Sequence, residues 1–145
     1  MDLIKIASDP QKELEGTEVT PWDDETVLVI ARYNNSKFRN MQARLMEPHI
    51  RAAGRKGVST EQANEILSKC IAKTILLGWR NLSLEGQPVE YSEEKALELL
   101  RDERLADFKE TVMAEAQDFE NYRLAAFEED LGNSETSLGI AQDGL

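Results

Sequence analysis

Between residues 59 and 77 the apolar positions recur at three- and four-residue steps: Ala63, Ile66, Leu67, Cys70, Ile71 and Thr74. That spacing lines one side of a helix. Ser59, with Gln62 three residues on, supplies a capping-box start. "ILL" at 75–77 makes the end apolar nearly all round, which predicts burial on several sides. This is the expected central helix, and Gly78 reads as its C-terminal stop.

The pattern changes elsewhere. "ETVLVIARYN" at 25–34 is rich in β-branched residues and reads as a strand. Asn35 or Ser36 then caps a helix with Phe38, Met41, Leu45 and Ile50 on its inner side, which Pro48 should bend or split and "GRKG" should close. The first 20 residues read as a short apolar start (Leu3, Ile4, Ile6) followed by a polar linker. Ser92 caps a short helix over "EEKALELL", "RDER" breaks it, and Leu105, Phe108, Val112, Ala116 and Phe119 form the stripe of a longer helix. The expected fold is mainly α, with three to four main helices and a small N-terminal β element, or α+β if the strands pair. Residues 1–133 are expected to form one helical domain and 134–145, which lack periodicity, a flexible tail.

Between the central helix and Ser92 lies "GWRNLSLEGQPVEY". Glu85–Gly86 carries turn chemistry and Pro88 stiffens the exit. Trp79 and Tyr91 bracket this crossing. Trp79 either plugs the end of the central helix against the next one, or the pair forms a partly exposed interface anchor, where Trp and Tyr are over-represented.

Composition narrows the function classes. In 145 residues there is one cysteine, Cys70, and one histidine, His49. An internal disulfide and the usual Cys/His zinc sites are thereby ruled out. Cys70 sits among apolar residues as a small buried hydrophobe. No phosphate loop, zinc-protease helix or nucleophile elbow occurs, and with 28 acidic residues a pair of carboxylates carries no information. The expectation is a protein that is not an enzyme and holds no cofactor or metal. No apolar run approaches the ~20 residues of a membrane span, and the N-terminus lacks the pattern of a secretory signal. A cytoplasmic protein without membrane contact is expected.

The net charge of −11 is unevenly spread. Residues 36–58 carry six basic side chains against one acidic, while residues 92–145 carry fifteen acidic against five basic. The acidic body disfavours nucleic acid. Arg44, Arg51 and Arg55, at steps of seven and four, would share one face of an unbroken helix. That face is either simply solvated or an electrostatic dock for an acidic surface, such as the acidic C-terminal half of a second copy in a homo-oligomer. Phe108, Val112, Phe119, Tyr122 and Phe127 form either a core face or a groove for an apolar partner helix, flanked by acidic residues.

The order of features resembles the tail assembly chaperones of long-tailed bacteriophages. The carrying residues are Gly78–Trp79, Glu85–Gly86, Pro88, Tyr91–Ser92 with Glu94, Ala96, Leu99 and Leu100, then Ala114–Ala116, Asn121–Tyr122–Arg123 and Asn133–Ser134. The likeness spans 71–134, about half the chain. It departs from the family at Gly132–Asn133, where a lysine–asparagine pair is usual. The resemblance implies a non-catalytic protein of the infected host's cytoplasm that binds the tape-measure protein, keeps it soluble, helps recruit tail-tube protein and is absent from the finished virion. The competing expectation is a structural tail or head–tail connector component retained in the particle.

Overall fold

The computed structural model describes residues 1–53 and 57–124. The chain opens with a 3₁₀ turn at Leu3–Ile6. It continues through α1 (Pro10–Glu15), β1 (Thr17–Val19), β2 (Val27–Ile30), α2 (Ser36–Ala53) and α3 (Thr60–Thr74). Then come β3 (Leu76–Arg80), β4 (Ser83–Leu84), β5 (Gln87–Pro88), α4 (Glu93–Arg101) and α5 (Ala106–Gln117), with 3₁₀ turns at Glu103–Leu105 and Phe119–Tyr122. The fold is mainly α, and because the strands do pair it is α+β.

The polar N-terminal stretch is more ordered than a linker. Asp9 caps α1 by accepting from the Gln11 N–H, Pro10 occupies the first turn, and Gly16 ends it at φ +88°. A Cβ at Gly16 would meet Val29 Cγ1 at 3.0 Å and the Ile30 carbonyl carbon at 3.2 Å, so both sterics and backbone demand glycine there. β1 then pairs antiparallel with β2, and β2 with β3. The predicted strand at 25–34 is real but confined to Val27–Ile30.

The largest correction falls at 75–80. α3 begins where the capping box predicts, with both Ser59–Gln62 bonds present, but it ends at Thr74. "LLGWR" is a strand, and Gly78 lies mid-strand opposite Val29 instead of stopping a helix. A run apolar on every side suits a buried strand as well as a buried helix. The backbone carbonyls at the junction decide the outcome. The Asn35 side-chain amide donates to Thr74 O (3.2 Å), Ala31 N–H to Ile75 O (2.8 Å) and the Tyr91 hydroxyl to Leu76 O (2.9 Å). Asn35 Oδ1 also accepts from Phe38 N–H, so Asn35 is the cap of α2.

The β2–β3 register shifts between Val29 and Ile30, with Leu28 opposite Trp79 and Ile30 opposite Leu76. This bulge lets Leu76 and Trp79, three residues apart, share the inner face with Leu28 and Ile30. α3 packs between α2 and α4, and its Ile66, Cys70 and Ile71 meet that face and Val112 and Ala116 of α5 in one core. α2 runs on through Pro48 to Ala53 without splitting. Pro48 is solvent-exposed, in the half of α2 where none of the described side chains is fully buried and one lost hydrogen bond is readily tolerated. Ile50, expected inside, is also exposed. The expected tail, 134–145, lies outside the described residues.

The C-terminal turn locks onto the N-terminal half. The Tyr122 hydroxyl donates to Ile30 O at 3.0 Å, and Asp9 N–H to Tyr122 O at 2.7 Å. Burial, then the nearby Glu115 carboxylate, push the Tyr122 phenol above its ordinary range. A phenol that holds its proton more tightly when folded contributes stability that is present below about pH 10 and is lost as pH rises beyond it. Tyr122→Phe should therefore cost about 1–3 kcal/mol at neutral pH by orphaning the Ile30 carbonyl. It should also flatten the alkaline fall in stability. Urea unfolding between pH 7 and 11 reads both, and an unchanged alkaline slope would refute this account of Tyr122.

Candidate functional site

The loop between β1 and β2 is anchored where it enters β2. Asp23 Oδ1 accepts from the N–H of Thr26 (2.6 Å) and Glu25 (2.8 Å), and these bonds hold its carboxyl below the usual range. The Asn81 amide donates to Glu25 O at 2.9 Å, tying the loop to the end of β3. The anchored loop presents Trp22, which remains 48% exposed while its ring stacks on Phe108 of α5, 6.0 Å between centroids and 20° between planes.

Phe108 also lines an apolar slot of about 60 Å³, with Leu82, Leu84, Val89, Leu99 and Leu105. The β4–β5 hairpin forms one wall. Its turn places Glu85 (φ +52°) and Gly86 (φ +81°) in left-handed conformations, the geometry of a tight two-residue hairpin turn. At the edge, Arg104 bonds Asp102 at 2.8 Å and Glu85 at 3.4 Å, linking the hairpin to the start of α5. Asp23, Asp24 and Asp107 neighbour Trp22 and Phe108 in sequence, and Glu85, next to Leu84, is paired with Arg104. The slot and the Trp22 ring meet at Phe108 and together form an apolar strip.

The predicted residues divide sharply. Trp79 is buried, donates from Nε1 to Val89 O at 2.7 Å, and meets Tyr91 edge-on at 4.9 Å between centroids. It packs the sheet against the exit of the hairpin. Tyr91 is half-buried and committed to Leu76 O. Val112 and Tyr122 are fully buried, so neither presents a surface to a partner. Phe108 is half-buried and contributes to the slot. Phe119 lies beyond the end of α5, 52% exposed, with the Arg123 guanidinium 4.6 Å over its ring. Arg44 and Arg51 are exposed on α2, Arg51 within 3.5 Å of Glu47. Phe127 and Arg55 lie outside the described residues. Trp22 was not singled out by the sequence, for it lies in a polar loop with no periodicity; its only signal is a large aromatic among acidic residues.

Cys70 is buried in the core, which pushes its thiol up. Among the described residues no group of His, Cys, Asp or Glu is placed to hold a metal, and no helix is long and apolar enough to cross a membrane.

A family model described as YdaY prophage protein matches residues 33–133. The match takes in α2 to α5, the hairpin and the slot, and leaves out α1, β1, β2 and Trp22. No curated protein and no solved structure matches the chain.

The geometry separates two tryptophans by role. Trp79→Ala should cost about 3–5 kcal/mol of stability, as for a buried aromatic. Trp22→Ala should cost about 1 kcal/mol or less, since the ring is half in solvent. Thermal or urea unfolding of the two variants checks this, and equal losses would mean that Trp22 is a core residue.

Proposed function

The chain belongs to the YdaY prophage protein family, a phage-derived lineage, and from that premise we propose that it is a tail assembly chaperone. It binds helical segments of the tape-measure protein, keeps that protein soluble and helps recruit tail-tube subunits. It works by binding, without catalysis, in the cytoplasm of the host, and leaves before the particle is complete.

The observation that supports this reading is the apolar strip of Trp22, Phe108 and the slot, set on a strongly acidic surface. Such a strip fits the apolar face of an amphipathic helix, and the net charge of −11 favours a helix whose polar flanks are basic. The rigid hairpin and the anchored loop hold the strip in place without a client, so little ordering entropy is lost on binding. The ordered features from Gly78 to Leu100 support the same class, because they form the β3–hairpin–α4 wall behind the strip.

Co-expression with the longest coiled-coil-rich reading frame of the same prophage tests the proposal. The long product should become soluble and co-purify with this chain, and Trp22→Ala with Phe108→Ala should reduce that capture at least tenfold. A long product that stays insoluble, or capture unchanged by the double substitution, would overturn the reading. Abundant copies of the chain in purified virions, counted by mass spectrometry, would instead assign it to the structural parts of the tail.

A further inference from the structure

α2 carries Lys37, Arg44 and Arg51 at steps of seven residues, all exposed on one face. Two turns of helix advance about 10.5 Å, so the charges form a straight, evenly spaced row. Lys37 and Arg44 make no ion pair among the described residues, and they border an open groove of about 600 Å³ between α2 and α3. Lys73 of α3 adds a third cation to that groove, already shared with Glu93 at 3.6 Å.

A matching row lies elsewhere on the molecule. Glu103, in the 3₁₀ turn that precedes α5, and Asp107 and Glu110, in the first turns of α5, are all exposed. None of the three makes an ion pair among the described residues, although Glu65, Glu85, Asp102, Glu18 and Glu120 all do. Glu103 and Glu110 are seven residues apart, as Lys37 and Arg44 are, with the end of the 3₁₀ turn between the two acids. Ala106 and Ala114 flank them, exposed and small, and leave room for close approach. No ion pair among the described residues joins the two rows within one chain.

We propose that the basic row of α2 docks on the acidic group of Glu103, Asp107 and Glu110 in a second copy, giving a self-association through complementary charge. Two different rows meet, so the contact closes as a two-fold dimer where both rows engage reciprocally, and otherwise closes into a ring or extends as a chain. The chain's net charge of −11 opposes association at long range. At about 0.1 M salt the screening length is about 10 Å, so the facing rows act across the contact while the rest of the two bodies is screened. Association is weak, reversible and reduced by high salt, as expected of exposed pairs.

Sedimentation velocity over a protein concentration series, at low and at about 1 M salt, tests this. The wild-type chain should grow in size with concentration at low salt and run as a monomer at high salt. Two reversal variants, Lys37→Glu with Arg44→Glu and Glu103→Lys with Glu110→Lys, should each stay monomeric while keeping the wild-type circular dichroism. Mixed in equal amounts they should associate again, because each supplies the row that the other lacks. The mixture carries the same total charge as two wild-type chains, so its recovery cannot come from relief of general repulsion. A wild-type chain that is monomeric throughout would overturn the proposal. So would association that persists in either variant alone, or a mixture that fails to recover it.

Discussion

Three consecutive carbonyls, those of Thr74, Ile75 and Leu76, govern this structure. They lie where α3 becomes β3, in a region with no solvent to satisfy them, and an orphaned buried carbonyl costs about 1–3 kcal/mol. Each finds its donor in a different part of the chain: the Asn35 amide, the Ala31 N–H and the Tyr91 hydroxyl. The start of α2, the end of β2 and the approach to α4 are thereby held at one point. Asn35 does more than donate, since its oxygen caps α2 while its nitrogen closes the end of α3. The bulge beside this junction then turns Leu76 and Trp79 to the same side, and the core closes over them.

The helices were legible because their signals are local. Ser59 with Gln62 and Ser92 each fix a first turn within four residues, and the stripes behind them keep helical period. β3 was not legible, because "LLGWR" obtains its strand geometry from Val27–Ile30, some fifty residues earlier, and a continuous apolar run carries no period to reveal it. Residues 9–19 were legible in principle. Asp9–Pro10 is a helix start and Gly16 a stop, but six residues of polar helix show too short a stripe to stand out.

Of the candidate site, the side chains at helical spacing were found and their exposure was not. Val112 and Tyr122 carry the same aromatic or apolar character as Phe108, yet only Phe108 reaches a surface, because α5 ends at Gln117 and the 3₁₀ turn that follows points Tyr122 inward and Phe119 outward. Spacing along one helix cannot register the change of direction at Asp118. Trp22 was missed for the opposite reason: its position depends on a hydrogen-bonded loop, and loops have no period. Charge was the more faithful guide. The segregation of basic residues into 36–58 survives as an exposed face of α2, because solvated side chains stay where the helix puts them.

The bond between Tyr122 and Ile30 spans 92 residues and imposes a schedule on the newborn chain. Synthesis runs from the N-terminus, so β2 emerges 92 residues before the hydroxyl that completes it. Until then the inner face of β2 and β3 lacks its cover from α5 and from the turn at Phe119–Tyr122. The sheet therefore settles only once residue 122 is available, after α2, α3 and α4 have had time to form through short-range contacts. During that interval the protein exposes apolar surface of its own, and the negative charge that holds like chains apart arrives mainly with residues 92–145, fifteen acidic side chains against five basic.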